Sequence, residues 1–146
     1  MSYYIHQTTI KASVVIKKDM IESAFKKLKS VLIEEWKKRD GECENRLDWI
    51  EIQNVEKSVS LEELMLECRW KNCSQNEDFK LCNNSFLGQK LGEEKIIFTA
   101  LAPFIEEGGF VKYVSEGYFV DEFYRFIFKD KKIFLEVLKS KQYLNS

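Results

Sequence analysis

The side chains of this chain that could do covalent, metal or acid–base chemistry are four cysteines, one histidine and several adjacent pairs of glutamates. Cys68 and Cys73 have four residues between them, Cys73 and Cys82 have eight, and Cys43 stands apart. Zinc sites are built from closely spaced cysteine pairs, or from such a pair with histidines. The chain has no C-x-x-C, and its one histidine, His6, is far from these cysteines in sequence, so the spacing argues against a metal. Cys68 reads as a small apolar residue on a helix face. His6 falls in an N-terminal strand pattern with no nucleophile spaced to use it. The pairs Glu62-Glu63, Glu93-Glu94 and Glu106-Glu107 occur at helix starts or turns. Adjacent helix residues do not face each other, so these are not acid–base dyads. No phosphate loop, nucleophile elbow or dinucleotide fingerprint is present. The expectation is a protein that is not an enzyme and needs no cofactor.

The elements that position these residues can be read from periodicity. YYIHQTTI (3–10) and ASVVIK (12–17) are rich in aromatic and β-branched residues and predict two strands. From Met20 the period changes. Ile21, Ala24, Phe25, Leu28, Val31, Leu32 and Trp36 fall on one helical face. Asp19 with Glu22 predicts a capping box, the cations 37–39 suit the last turn, and Gly41 predicts the exit. RLDWIEI (46–52) alternates and predicts a strand. Ser60 with Glu63 predicts a second capping box, opening a short helix. FKL (79–81) and SFLGQK (85–90) flank CNN and predict a hairpin. A third helix starts near Gly92 and breaks near Leu101–Ala102, where Pro103 removes a donor and crowds the preceding turn. Gly108 predicts a left-handed exit. FVKYV, YFVDEFYRFIFKD and KIFLEVL then predict three strands joined by tight turns.

Together these elements predict a single α+β domain spanning residues 1–146: an antiparallel β-sheet with about three helices packed on one face, and a frayed tail over 139–146. A chain of 146 residues can bury a core without staples. The N-terminus has no signal or transit pattern and no segment is long enough to span a membrane, so the expected location is cytoplasmic and the cysteines are expected to be free thiols.

Charge is placed unevenly. Residues 11–39 carry nine Lys/Arg against four Asp/Glu, and residues 40–69 carry three against nine, within a net charge of −1. Three surfaces follow as candidates for binding. Lys26, Lys27, Lys29, Lys37, Lys38 and Arg39 lie off the apolar stripe of the first helix and could meet phosphates, although Glu22, Glu34 and Glu35 interrupt them. The aromatic strand 118–128 offers Tyr118, Tyr124 and Arg125. Strict alternation places Tyr124, Phe126 and Phe128 on one face, with Phe123, Arg125 and Ile127 on the other, so one face is left for a partner unless another element covers it. The third is the acidic segment 40–69 with the polar loop 71–78. Glu106 and Glu107 add an exposed acidic turn.

Several pieces together resemble a family of small α+β proteins from bacterial and phage genomes: SYYIH, VIKKDMIESAFKKLK, LEELMLECRWK, GQKLGEEKIIFTALAPFIEEGGFV and YRFIFKDKK. The matching positions are Leu91, Gly92, Ala102, Pro103, Phe104 and Gly108, then Tyr124, Arg125, Phe126, Phe128, Lys129 and Asp130. The chain departs from the pattern at 110–122 and after Lys132. The resemblance implies no reaction. It implies a binding protein that blocks a larger protein or ribonucleoprotein partner, in its sharpest form a phage-type anti-defence (anti-CRISPR) inhibitor. A toxin-neutralising immunity protein is the alternative. A nucleic-acid-binding accessory protein using the basic helix is the reading from a different class. No membrane partner is expected.

Overall fold

The computed structural model describes residues 7–38, 50–87, 94–116 and 121–139. Strand β1 (Gln7–Ile16) leads into a 3-10 turn (Lys18–Met20) and helix α1 (Ile21–Lys38). Helices α2 (Ile52–Lys57) and α3 (Leu61–Glu67) precede a short strand β2 (Phe79–Leu81). Helix α4 (Glu94–Leu101) continues as a 3-10 turn (Ala102–Phe104), and β3 (Phe110–Glu116), β4 (Asp121–Lys129) and β5 (Lys132–Lys139) follow. The five strands form one antiparallel sheet in the order β2-β1-β3-β4-β5.

One face of the sheet carries the core. Ala12, Val14 and Ile16 of β1, Val111 and Tyr113 of β3, and Phe126 and Phe128 of β4 are buried against the helices. The α1 stripe contributes Ala24, Phe25, Leu28 and Leu32, and α3 contributes Leu61, Leu64 and Met65. Phe98 of α4 ties the layers together. Its ring lies 5.3 Å from Trp70, 5.8 Å from Phe128 and 6.3 Å from Phe126, within the range in which aromatic rings attract. The predicted α+β architecture is therefore present, with four α-helices among the described residues.

Local signals succeed where the cause is local. Ser60 Oγ accepts from Glu63 N–H at 3.2 Å, and Glu63 Oε1 accepts from Val59 N–H at 3.0 Å, one residue before the cap. The α-helix stops at Leu101, and Pro103 sits in the following 3-10 turn. Gly108 has φ +88°, the left-handed conformation. A Cβ on Gly109 would stand 3.0 Å from the Ser13 carbonyl oxygen, because the chain passes close to β1 before entering β3.

Four expectations are corrected. In their described part, from Gln7 on, the segments 3–10 and 12–17 are not separate strands: Ile10 and Ala12 face the core while the intervening Lys11 is exposed, so one alternation runs unbroken through β1. The strand over 46–52 does not form in its described part; Ile52 opens α2, where Ile52 and Val55, three apart, share the face turned to the core. The 79–90 hairpin does not form in its described part, residues 79–87. Phe79 and Leu81 pair with β1, and the chain turns at Cys82–Ser85 so that Phe86 bridges Trp70 instead. Asp19 lies inside the 3-10 turn with no capping bond in its own turn; Asp78 Oδ1 accepts from Lys18 N–H at 2.9 Å and caps that end from a distant loop.

The cysteines also depart from expectation. Cys73 and Cys82 are joined by a disulfide, with Cα atoms 6.4 Å apart, rather than both being free thiols. The bridge closes the loop that Asn72, Ser74 and Asn76 brace with side-chain-to-backbone bonds. Cys68 is free and buried. His6, Arg39, Cys43 and Tyr118, the helix start at Gly92 and the tail beyond Lys139 lie outside the described residues.

Candidate functional site

Alternation along the strands defines a second face, and the register builds it into two rows. Ser13, Phe110, Ile127 and Phe134 stand side by side across β1, β3, β4 and β5. In the next row Lys11, Lys112, Arg125 and Glu136 are aligned in the same way. Neighbouring strands lie about 4.8 Å apart, so each row is a continuous line of side chains. Phe110 and Ile127 are half-buried without joining the core cluster, and Phe134 is 48% exposed. The described helices pack on the opposite face, which leaves an apolar row bordered by a row of three cations and one carboxylate.

Arg125 orders that border. Its Nε donates to Glu136 Oε1 at 3.0 Å, and Nη2 donates to the same oxygen. The pair bridges directly opposed residues of β4 and β5, and both side chains are more than a third exposed, so its net contribution is modest. Its main effect is positional: a planar guanidinium is held over the sheet between Lys112 and Glu136.

The other sequence-derived candidates scatter. Lys26, Lys27, Lys37 and Lys38 are exposed on α1. Lys26 is 3.8 Å from Glu22, and Lys38 donates to Glu35 at 3.1 Å. Lys29 is committed within the fold, donating to the Glu56 and Ser58 carbonyls at 2.8 and 2.9 Å. Tyr124 and Arg125 are adjacent and therefore point to opposite faces: Tyr124 packs against the core, and Arg125 lies on the uncovered side. Glu106 and Glu107 are exposed, and Glu107 Oε2 accepts from Asp130 N–H at 2.6 Å, clasping the β4–β5 turn. The sequence reading found Arg125 but not Lys11, Phe110, Lys112, Phe134 or Glu136. Alternation alone marks each as lying on one side of its own strand; the register of β3, β4 and β5 aligns four of them, and the pairing of β1 with β3, about a hundred residues on, adds Lys11.

The interior holds a small polar cluster. Burial, followed by the negative charge of Glu94, pushes the Cys68 thiol and the Tyr113 phenol far above their ordinary pKa ranges. Glu67 adds to the shift at Cys68. Cys68 therefore stays protonated and is a poor nucleophile. Tyr113 Oη and Trp70 Nε1 are buried without hydrogen-bond partners among the described residues. A shallow groove of about 310 Å³ beside the disulfide is lined by polar residues including Asn72, Ser74 and Asn84. Among the described residues no three metal-ligating side chains cluster, and no helix is long and apolar enough to cross a membrane.

Compared with models of known protein families, with curated proteins and with solved structures, the chain matches none.

Proposed function

We propose that this chain is a non-catalytic binding protein that acts by occupying a surface of a protein or ribonucleoprotein partner, and that it does so with the uncovered face of the sheet. One observation carries the reading: the apolar row Phe110–Ile127–Phe134 lies beside the ordered cationic row Lys11–Lys112–Arg125 on a face that the described helices leave open. Aromatic and arginine side chains on a rigid platform are the groups that anchor protein interfaces: the aromatics contribute large contact area at low cost in conformational entropy, and Arg125 is already held by Glu136. The partner this chemistry fits is a protein patch with an apolar centre and an acidic border. Its sharpest form, supported by the sequence resemblance alone, is inhibition of a phage-targeting defence complex of the CRISPR type. Neutralisation of a toxin would use the same face.

The test is affinity capture from the native host and against a panel of purified defence nucleases and toxins, using the chain alongside its Lys11→Glu and Lys112→Glu variants. A partner captured by the parent chain and lost with either reversal supports the reading. Capture unaffected by both reversals, or no partner at all, refutes it. Binding to nucleic acid that falls steeply with salt, and is lost on reversing Lys27 and Lys37, would move the site to α1.

A further inference from the structure

The two edges of the sheet are finished differently. On one side β2 is only three residues long, and beyond it Asn83 Oδ1 accepts from Ala12 N–H at 3.0 Å, so a side chain takes over from β2 at that position of β1. On the other side β5 runs for eight residues with β4 as its sole strand partner among the described residues. A long edge strand presents unpaired backbone groups, and proteins usually blunt it with brevity, proline, bulges or charge. β5 has no proline and pairs with β4 without a bulge. Three of the seven exposed large apolar side chains among the described residues belong to it: Phe134, Leu135 and Val137, at 48%, 50% and 46% exposure.

We infer that β5 pairs antiparallel with β5 of a second copy, about a two-fold axis at Phe134, so that one sheet runs through both copies. Backbone phase allows it. Lys129 and Lys132 flank the two-residue turn as the first pair of the hairpin, so Lys132, Phe134 and Glu136 bond to β4. The alternate residues Ile133, Leu135 and Val137 then turn their N–H and C=O groups outward. With Phe134 on the axis, Ile133 of each copy bonds to Leu135 of the other.

Side-chain charge selects this register over its neighbours. On the uncovered face, Phe134 meets Phe134, and Lys132 of each copy meets Glu136 of the other. On the helix side, Ile133 meets Leu135. Shifting by two residues one way sets Glu136 against Phe134. Shifting the other way sets Lys132 against Phe134 and Asp130 against Glu136. Glu136 is also prepared for a second cation, because both bonds from Arg125 land on Oε1 and leave Oε2 for the incoming ammonium. The inference does not rest on the proposed partner: it concerns the edge of the sheet, and its test leaves Lys11 and Lys112 untouched.

The experiment is sedimentation equilibrium of the full chain from low micromolar to high micromolar concentration, a range suited to an interface of one strand pair. The parent chain should shift from monomer to dimer mass. K132E places carboxylate against carboxylate twice across the axis, and E136K places ammonium against ammonium twice, so each alone should remain monomeric while keeping a native circular dichroism spectrum. Mixing the two restores both opposite-charge pairs, and a heterodimer should form. Leu135→Pro provides a second measurement that does not depend on charge: its N–H faces outward, so the monomer tolerates proline while the dimer loses two bonds, one from each copy, and dimerisation should be lost. A parent chain that stays monomeric throughout, a dimer that survives Leu135→Pro, or folded charge variants that fail to pair on mixing would each overturn the inference.

Discussion

Replacing Lys29 with methionine separates a structural lysine from the solvated ones on the same helix. Lys29 Nζ donates to two carbonyls at the C-terminal end of α2 and lies 5.4 Å from the centre of the Phe25 ring. Methionine keeps most of the apolar stem and removes the ammonium. A hydrogen bond to a charged group contributes about 1.5–3 kcal/mol. Here two bonds share one desolvation and one of them is at the exposed surface, so their joint loss should cost about 2 kcal/mol. The contact with Phe25 adds about 0.5 kcal/mol. Lys26→Met removes only an exposed i,i+4 pair at 3.8 Å and should cost about 0.3 kcal/mol. Urea unfolding at constant slope should therefore give midpoints that differ by about 2 kcal/mol in stability between the two variants. Amide exchange at Ser58, whose N–H bonds to the Val55 carbonyl, should accelerate in Lys29→Met alone. Equal losses within about 0.5 kcal/mol would show that Lys29 does not hold α2, and would return it to the lysines available for phosphate.

Further outcomes can be read from stability measurements. Phe98→Ala should cost about 3–5 kcal/mol by thermal or chemical unfolding, since it opens a cavity at the point where Trp70, Phe126 and Phe128 meet. Phe104→Ala should cost less, about 1–2 kcal/mol, because Phe104 is half-buried at the margin of the core rather than inside it. The β4–β5 turn holds Asp130 and Lys131 at φ 56° and 61°, so Lys131→Gly should stabilise the chain by about 1 kcal/mol, while Glu107→Ala, which removes the acceptor for Asp130 N–H, should destabilise it by about as much. In alkali, the folded chain keeps protons on Cys68 and Tyr113 that the unfolded chain releases above about pH 8.5 and pH 10. The stabilisation is complete below those values and falls as pH rises, by about 1.4 kcal/mol per pH unit for each group. Cys68→Ala should flatten the first part of that fall in a melting-temperature series.

What could be read from the sequence was what neighbouring residues decide. Ala24, Phe25, Leu28 and Leu32 announce α1 by their spacing, Ser60 and Glu63 fix the start of α3, and Pro103 ends α4 because a proline ring cannot join the preceding turn. The aromatic alternation in β4 likewise separated Phe126 and Phe128 from Arg125. What could not be read was supplied from a distance. Asp78 caps the turn at Lys18, Asn83 covers Ala12, and Phe79 joins β1 rather than its own neighbours. α2 escaped because Ile50 and Ile52 satisfy a strand pattern as well as Ile52 and Val55 satisfy a helical one; packing against α1 decides between them. The uncovered face was partly visible for the same reason: Arg125 belongs to a conspicuous strand, whereas Lys11 and Lys112 become partners only through register.

The place of β1 between two later strands, β2 and β3, has a consequence for the order of folding. Its Ala12 pairs with Val111, and its Val14 pairs with Leu81, so the earliest strand waits for both later partners. By contrast, β4 and β5 close through two residues and can form within microseconds. During synthesis at about 5–20 residues per second, β1 would remain unpaired for several seconds, with Val14 and Ile16 exposed. α1, which lies directly after it and whose own backbone hydrogen bonds are local, is the element available to shelter that strand until the C-terminal meander arrives. Mutations that weaken the α1 stripe should therefore slow folding and increase aggregation of nascent chains by more than their effect on the finished protein accounts for.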